Sequence, residues 1–163
     1  MIIRTAERAD LRSLHSWVTD ADACRIWAGP NVHFPFTLDS LCEDIRFEPN
    51  NTHCLIGAKG ELFGLGQIMT VSDARLHLAR VIIHPKMRGK QLGAVFCTAL
   101  IRETYAKFGE RELILKVYRD NLRAINLYQR LGFKTTDEPE HTSSNSNSVS
   151  MILSIRDFCQ VHG

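Results

Sequence analysis

The chain has 163 residues and a mass of 18.5 kDa, so we expect one domain over residues 1–163, and its 44% hydrophobic content allows a sizeable core. Twenty basic residues against 18 acidic ones leave a formal charge of +2, too near balance to favour a nucleic acid or a membrane surface as partner. No apolar run approaches the roughly 20 residues of a membrane span, and the first residues lack the apolar core of a signal peptide, which predicts a cytoplasmic protein.

One strand and three short helices are predicted in the first part of the chain. Residues 2–5 predict a strand, and Asp10 is expected to cap an amphipathic helix that ends near Val18. Residues 21–27 predict a second helix. After a loop with two prolines and a glycine, Thr37 is expected to cap a third helix.

A hairpin and a further strand are predicted in the middle of the chain. Residues 54–58 and 62–71 flank a turn at Lys59 and Gly60, which is the pattern of two paired strands. Residues 76–84 predict the next strand.

The second half alternates helices and strands. Residues 92–109 have helical spacing, residues 112–118 predict a buried strand, and residues 121–132 predict another helix. Residues 142–150 are rich in Ser and Asn and predict a solvated loop, while residues 149–155 predict a terminal strand. This order predicts a protein of the α/β (α+β) class, a mixed sheet with helices on both faces.

The cysteines do not suggest a disulfide framework or a metal site. They are scattered and include no C-x-x-C pair: Cys24, Cys42, Cys54, Cys97 and Cys159. We expect reduced thiols that mostly pack as small hydrophobes, and no bound metal.

The stretch from Arg80 to Gly93, R-V-I-I-H-P-K-M-R-G-K-Q-L-G, joins a strand to a helix through a short loop that carries Arg88, Gly89 and Lys90. Backbone N–H groups at such a junction, the positive end of the helix dipole and two cations together form a socket for a pyrophosphate. The ligand is therefore expected to be a phosphorylated cofactor.

A second motif, N-L-R-A-I-N-L-Y-Q-R-L-G-F, runs from Asn121 to Phe133. Tyr128 follows Asn121 by about two helical turns, so both side chains project from one face of the predicted helix. Gly132 stands where a C-cap glycine belongs, and Phe133 can then pack back on the helix.

These two segments resemble the core motifs of the GCN5-related N-acetyltransferase (GNAT) superfamily, over residues 76–133. The first is similar to the acyl-CoA motif Q/R-x-x-G-x-G/A, with Arg88 and Gly93 in place and Gln91 where a glycine is usual. A residue with a Cβ can still offer its N–H to a phosphate if its φ is negative, so we expect the loop to bind the cofactor. The second resembles the later N-x-x-A-x-x-x-Y-x-x-x-G-F element, matched at Asn121, Ala124, Tyr128, Gly132 and Phe133.

The resemblance implies a GNAT-like acyl-CoA N-acyltransferase fold, in which a splayed central sheet admits the pantetheine arm of acetyl-CoA. It also implies that main-chain groups of residues 81–83 stabilise the oxyanion. The residues that it implies for binding acetyl-CoA are Val81, Ile82, Ile83, Arg88, Gly89, Lys90, Gln91, Leu92, Gly93, Ala94, Asn121, Ala124 and Tyr128.

Tyr128 is the expected general acid. A phenol with its ordinary pKa of about 10 stays protonated near neutrality and can donate to the departing thiolate. The resembled family commonly uses the tyrosine of this motif in that role. The alternative is a tyrosine that only packs.

His77 is the candidate base for the acceptor amine. Strict alternation along the strand places His77 on one face with Ala79 and Val81, and the resemblance to serotonin N-acetyltransferases implies a histidine at this position. A strand histidine bonded to a backbone carbonyl is an equal alternative. Water relayed to His33, Glu43 or solvent is a third route for the proton.

The acceptor is expected to bind at Trp27, His33, Phe34 and Phe36, whose aromatic rings suit a cleft for an organic amine or an amino acid. A hydrophobic plug beneath the proline-rich loop is the alternative reading of the same residues. Because the segment reads as compact and apolar, without an evident acidic patch for a basic tail, a small-molecule acceptor is favoured.

The sequence therefore predicts an N-acetyltransferase that moves acetyl from acetyl-CoA to a primary amine of a small molecule or amino acid, by direct attack in a ternary complex. The alternatives are a protein N-terminal or lysine acetyltransferase of the ribosomal-protein type and a non-catalytic acyl-CoA-binding module. A covalent route is not favoured, because Cys97 falls in an apolar helix. We expect a monomer or a homodimer, with neither a nucleic acid nor a membrane as partner.

Overall fold

The computed structural model describes residues 1–137 and 147–162. The strands are β1 Ile2–Thr5, β2 Thr52–Ile56, β3 Leu62–Thr70, β4 Arg75–Ile83, β5 Glu112–Tyr118, β6 Lys134–Thr136 and β7 Ser148–Leu153. The α-helices are α1 Leu14–Trp17, α2 Ala21–Ala28, α3 Leu38–Asp44, α4 Leu92–Phe108, α5 Leu122–Arg130 and α6 Ile155–His162. Two 3₁₀ turns lie at Arg8–Ser13 and Pro85–Met87.

Across the described residues the strands form a mixed seven-stranded sheet in the order β1-β2-β3-β4-β5-β7-β6. β4 and β5 pair in parallel, whereas β1 with β2, β2 with β3, β5 with β7, and β6 with β7 pair antiparallel. The parallel ladder matches residues 75–77 with residues 112–114, although β4 continues to Ile83 and β5 to Tyr118. This short ladder is the pairing expected of a splayed sheet.

The chain divides into two compact units. The first consists of Met1–Ile68 and Ala79–Leu100, and the second of Met69–Leu78 and Ile101–Gly163. β3, β4 and α4 contribute residues to both units.

The core of the first unit packs its N-terminal helices on one face of the sheet. Burial of each large aliphatic side chain stabilises the fold by about 1.5 to 3 kcal/mol. Its buried members include Leu11, Leu14, Trp17, Cys24, Leu41, Ile45, Cys54, Ile56, Leu65 and Ile82.

Helix α4 covers the opposite face of this unit at two glycines of β3. A Cβ placed at Gly64 would lie 3.1 Å from Cδ1 of Phe96, and one at Gly66 would lie 3.2 Å from Cδ1 of Leu100. These contacts would be tighter than most real Cβ contacts, so glycine at both positions favours the close approach of helix and strand. Leu65 lies between the two glycines and belongs to the other core, so helices cover both faces.

Helix starts in the first unit follow local capping signals. The Asp20 side chain accepts a hydrogen bond from Ala23 N at 2.8 Å, and Thr37 forms a capping box with Ser40. The first cap differs from expectation, because Glu7 is the N-cap and Asp10 lies three residues inside the 3₁₀ turn. Asp10 is drawn back toward β1, where Arg4 binds its two carboxylate oxygens at 2.8 and 2.9 Å.

The second unit is built around the antiparallel pair β5 and β7. The Tyr105 hydroxyl on α4 donates to Leu153 O on β7 at 3.1 Å. The terminal strand is confirmed but ends at Leu153, because Ser154 caps the unexpected helix α6 by accepting from Asp157 N at 3.1 Å. β6 was also not expected from the sequence, and the predicted loop 142–150 lies partly outside the described residues.

Within the described residues, no helix combines the length and apolar character needed to cross a membrane.

Candidate active site

The predicted phosphate loop connects β4 to α4 in the first unit. After the turn Pro85–Met87, residues 88–91 are exposed, and α4 begins at Leu92. Gly89 has a φ of +80°, and a Cβ there would meet nothing within 4 Å, so the loop is open at this point. An exposed loop before a 17-residue helix suits the binding of a pyrophosphate.

Three exposed cations surround this loop: Lys86, Arg88 and Lys90. Arg88 Nε donates to Ile83 O at 3.2 Å, which ties the guanidinium to the end of β4. The His84 ring, edge-on to Trp17, accepts from Lys86 N through Nδ1 at 3.1 Å and so fixes the turn before the loop. The residues present therefore fit an anionic cofactor, and they would bind the phosphates of acetyl-CoA through charge-assisted hydrogen bonds.

Gln91 adopts a φ of +59°, so the negative φ under which a residue with a Cβ was expected to serve this position is not the one observed. The backbone at Gln91 keeps the left-handed conformation that a glycine would favour, although glutamine has a Cβ. Gln91 O accepts from the N–H groups of Ala94 and Val95, which begins α4.

A bend interrupts β4 at Arg80, whose φ is +52°. Strict alternation therefore stops at Arg80, so it no longer groups His77 with Val81 on one face. His77 is half-buried and stands at the last pair of the parallel ladder, opposite Ile114. Its role as base stays a prediction.

Tyr128 lies on α5 in the second unit, half-buried and edge-on to Phe133 at 5.6 Å between ring centroids. Phe133 N donates to Tyr128 O, and Gly132 has the left-handed φ of +99° that returns the chain onto the helix. Asn121 caps α5, because its Oδ1 accepts from Ala124 N at 3.2 Å. The motif thus builds a helix that fixes the Tyr128 ring, and the catalytic roles stay predictions.

The predicted acceptor residues differ in exposure. Phe36 is a core residue with 7% exposure, whereas Phe34, edge-on to it at 6.1 Å, is 37% exposed. Trp27 is partly buried, and its Nε1 donates to Arg80 O at 2.8 Å. The structure therefore joins Trp27 to the bend of β4 and places Phe36 in the plug that was the alternative reading.

His33 is held by Asp44, a residue that the sequence argument overlooked. Both the backbone N and Nδ1 of His33 lie close to Asp44 Oδ2, at 3.1 and 3.2 Å. The hydrogen bond from the His33 backbone, the largest cause, holds the pKa of the Asp44 carboxyl below its usual range. These two contacts hold the loop after α2 against the end of α3.

Carboxylates on α2, α3 and the following turn are a second overlooked feature. Residues 20–48 contain two basic residues, Arg25 and Arg46, and six acidic ones, although the whole chain carries a formal charge of +2. The acidic residues are Asp20, Asp22, Asp39, Glu43, Asp44 and Glu48. Counting the charges of this segment separately from the rest of the chain predicts the acidic cluster, whereas its apolar residues alone do not.

The thiols do not suit covalent catalysis. Burial raises the pKa of the Cys97 thiol to about 12, and burial is also the main cause that raises the pKa of Cys54 to about 12. Because the thiolate is the nucleophile, these two cysteines are inert near neutrality.

Sequence comparisons identify a family and relatives of the chain. The sequence model of the acetyltransferase (GNAT) family matches residues 12–133. A spermidine N(1)-acetyltransferase of Escherichia coli (strain K12) is 24% identical over 140 residues, which cover 85% of this chain and 75% of that protein. A spermine/spermidine N(1)-acetyltransferase of Bacillus subtilis (strain 168) is 33% identical over 66 residues, 40% of this chain and 43% of that protein.

Solved structures share the fold. The spermidine N-acetyltransferase of Vibrio cholerae, crystallised with CoA and spermine, has a TM-score of 0.76 at 19% identity, over 97% of each chain. The ribosomal-protein-S18-alanine N-acetyltransferase of Escherichia coli has a TM-score of 0.68 at 20% identity, over 94% of this chain and 93% of that one. The fold class and the family expected from the two motifs are confirmed: the chain belongs to the acetyltransferase (GNAT) family and is an acetyl-CoA-dependent N-acetyltransferase.

Proposed function

We propose that the protein acetylates a primary amine of an aliphatic polyamine. The observation that carries this proposal is the concentration of carboxylates in residues 20–48, the segment that also holds Trp27 and Phe34. Nearby carboxylates attract a multiply charged amine, while aromatic rings can contact its methylene chain. The similarity to polyamine acetyltransferases supports the same class of acceptor.

Each step of the reaction has a candidate among the predicted residues. The neutral amine attacks the acetyl carbon, the carbon–sulfur bond of acetyl-CoA breaks, and Tyr128 donates its phenolic proton to the thiolate. His77 accepts the proton that the amine loses. Main-chain N–H groups of residues 81–83 would stabilise the oxyanion. The match of the family to residues 12–133, which runs through both units, supports one catalytic domain.

Initial rates of CoA release test the acceptor. Spermidine, spermine and putrescine should exceed n-butylamine in kcat/KM by about tenfold or more, because electrostatic attraction raises the local concentration of a polycation. The advantage should shrink as NaCl is raised, since salt screens exposed charges beyond about 8 to 10 Å. Mass spectrometry of the products identifies the acetylated amine.

Glu43→Gln is the informative variant, because Glu43 is an exposed carboxylate of α3. It should raise KM for spermidine severalfold and leave KM for n-butylamine unchanged. Glu103→Gln removes an exposed carboxylate from α4 and serves as the matched control. Turnover with an alanine-terminated peptide and none with the amines would favour a protein N-terminus as acceptor and contradict the proposal.

A further inference from the structure

The bend of β4 at Arg80 is a strained feature in the middle of a strand. Its φ of +52° lies in the left-handed region, which residues with a Cβ seldom occupy. Such conformations persist where the surrounding structure fixes them, and they occur often at functional sites. The contacts around Arg80 should therefore show what holds the bend.

Two hydrogen bonds hold Arg80 from opposite ends of the residue. Its carbonyl accepts from Trp27 Nε1 at 2.8 Å, and its Nη1 donates to Gln67 Oε1 at 2.8 Å. Trp27 is therefore a direct partner of the bent main chain, whereas Gln67 holds the side chain.

Gln67 is itself rigidly held. It is 2% exposed, and its Nε2, with two N–H donors, lies within hydrogen-bond distance of three acceptors: Ile45 O, Asn51 Oδ1 and Thr52 Oγ1, at 3.2, 3.3 and 3.0 Å. A buried, fully engaged amide is a fixed anchor for the guanidinium. Trp27, on α2, donates to the Arg80 carbonyl from a helix.

The bend lies directly before residues 81–83, for which the reaction requires defined main-chain directions. A left-handed residue interrupts the pleat, so peptide groups after Arg80 point differently from those of a regular strand. The strand ends at Ile83, and the next residue, His84, donates its N–H to Phe63 O at 2.8 Å. The residues 81–83 are thus fixed at both ends.

We propose that Trp27 is a positioning residue for acetyl transfer: its indole N–H holds the Arg80 carbonyl, and thereby the bend that sets the direction of the peptide groups at residues 81–83. The inference rests on the proposed function, through the role given to those peptide groups. Trp27 also begins the segment expected to bind the acceptor, so one hydrogen bond links that segment to the strand.

Trp27→Phe tests the indole N–H while keeping a ring. We expect kcat to fall by about tenfold to a hundredfold, the range for a misplacement of about 1 Å. The Kd of acetyl-CoA, measured by calorimetry, should stay within about twofold, because residues 88–93 are unchanged. Leu14→Val, which shortens a fully buried side chain of the core away from the predicted site, should lower Tm with little effect on kcat. An unchanged kcat in Trp27→Phe overturns the inference, whatever its Tm.

Substitutions at Arg80 separate the bend from the guanidinium. Arg80→Gly and Arg80→Ala both lose the bond to Gln67, but only glycine adopts the left-handed conformation without steric cost. Arg80→Gly should therefore retain several times more kcat than Arg80→Ala. Equal activities, or a more active Arg80→Ala, would show that the bend is not what matters.

Combining Trp27→Phe with Arg80→Gly gives a double-mutant cycle for the two residues. Trp27→Phe should reduce kcat much less in the Arg80→Gly background than in wild type, since glycine no longer needs the indole to hold the bend. Equal reductions in the two backgrounds contradict the coupling. Failure of the proposed function is a different result, because wild type would then release CoA with none of the amines.

Discussion

Gly89 and Gln91 have left-handed backbone conformations on either side of Lys90, with φ of +80° and +59°. Glycine takes this conformation freely, whereas a residue with a Cβ loses roughly 1 to 2 kcal/mol in it. The loop before α4 thus keeps a glycine-like geometry at a position where the sequence has glutamine. That geometry makes the first prediction specific.

Gln91→Gly should stabilise the protein by up to about 1 kcal/mol, because relief of the left-handed strain exceeds the greater flexibility of glycine in the unfolded chain. Affinity for acetyl-CoA should be retained or improved. Thermal denaturation and calorimetry measure the two effects. In contrast, Gly89→Ala should lose stability although its Cβ would meet nothing within 4 Å. A large loss of affinity in Gln91→Gly would instead identify the glutamine side chain as a ligand contact.

Arg88→Ala should weaken acetyl-CoA binding by about tenfold or more, since each charge-assisted phosphate contact contributes roughly 1.5 to 3 kcal/mol. Arg88→Lys keeps the charge and should recover part of the affinity, but not the bond that Nε makes to Ile83 O. Calorimetry at two salt concentrations compares the three proteins. Equal affinity in wild type and Arg88→Ala would exclude this side chain from the cofactor site.

Tyr128→Phe should lower kcat by about 100-fold to 10,000-fold, the usual contribution of a general acid, while its ring still packs on Phe133. The Tm should change little. Tyr105→Phe is the matched control, because its hydroxyl donates to Leu153 O and its loss should reduce stability by about 1 kcal/mol with kcat unchanged. If Tyr128→Phe turns over like wild type, the tyrosine only packs.

His77→Ala should lower kcat/KM mainly below pH 8 and be partly rescued at higher pH, where more of the amine is neutral without a base. An ordinary imidazole, with a pKa near 6.5, is suited to this task, whereas aliphatic amines titrate near 10. A pH profile of both proteins from pH 6 to 9.5 provides the measurement. A reduction by one constant factor across that range would assign His77 a structural role.

Asp10→Asn should remove part of the acid sensitivity of the fold. The hydrogen bond from Arg4, the largest cause, lowers the pKa of Asp10 below its ordinary 3.8. The unfolded chain therefore binds this proton first as pH falls, so the stabilisation is complete well above pH 3.8 and is lost progressively as the pH falls from there through the lowered pKa of the folded state. We expect a loss of about 1 to 2 kcal/mol at pH 7 from urea unfolding, and a smaller difference from wild type at pH 3. An equal difference at both pH values would contradict the linkage.

Features defined by neighbouring residues could be predicted from the sequence. The caps at Thr37 and Asn121, the turn at Lys59 and Gly60, and the glycine that ends α5 depend on a few adjacent residues. The two family motifs are equally local, which is why they identified the family.

Features that depend on residues far apart in the chain could not be predicted from the sequence. The left-handed conformation of Arg80 is held by Trp27, which lies 53 residues earlier in the chain. The alternation of polar and apolar residues along β4 does not predict this conformation. The three residues of β6 become a strand only by pairing with β7. The plug position of Phe36 likewise follows from packing with residues such as His15. The alternation that grouped His77 with Val81 assumed a regular strand, and the left-handed φ at Arg80 interrupts it between these two residues.

Side chains of α4 pack directly on the main chain of β3 at Gly64 and Gly66. No β3 side chain lies between helix and strand at these two positions that could adjust their spacing. A Cβ at position 64 would lie 3.0 Å from Cδ1 of Ile83 and 3.1 Å from Cδ1 of Phe96, so both side chains would have to shift by a few tenths of an ångström. We therefore expect covariation in homologous chains: alanine at position 64 should occur with a smaller residue at position 96, and alanine at position 66 with a residue shorter than leucine at position 100.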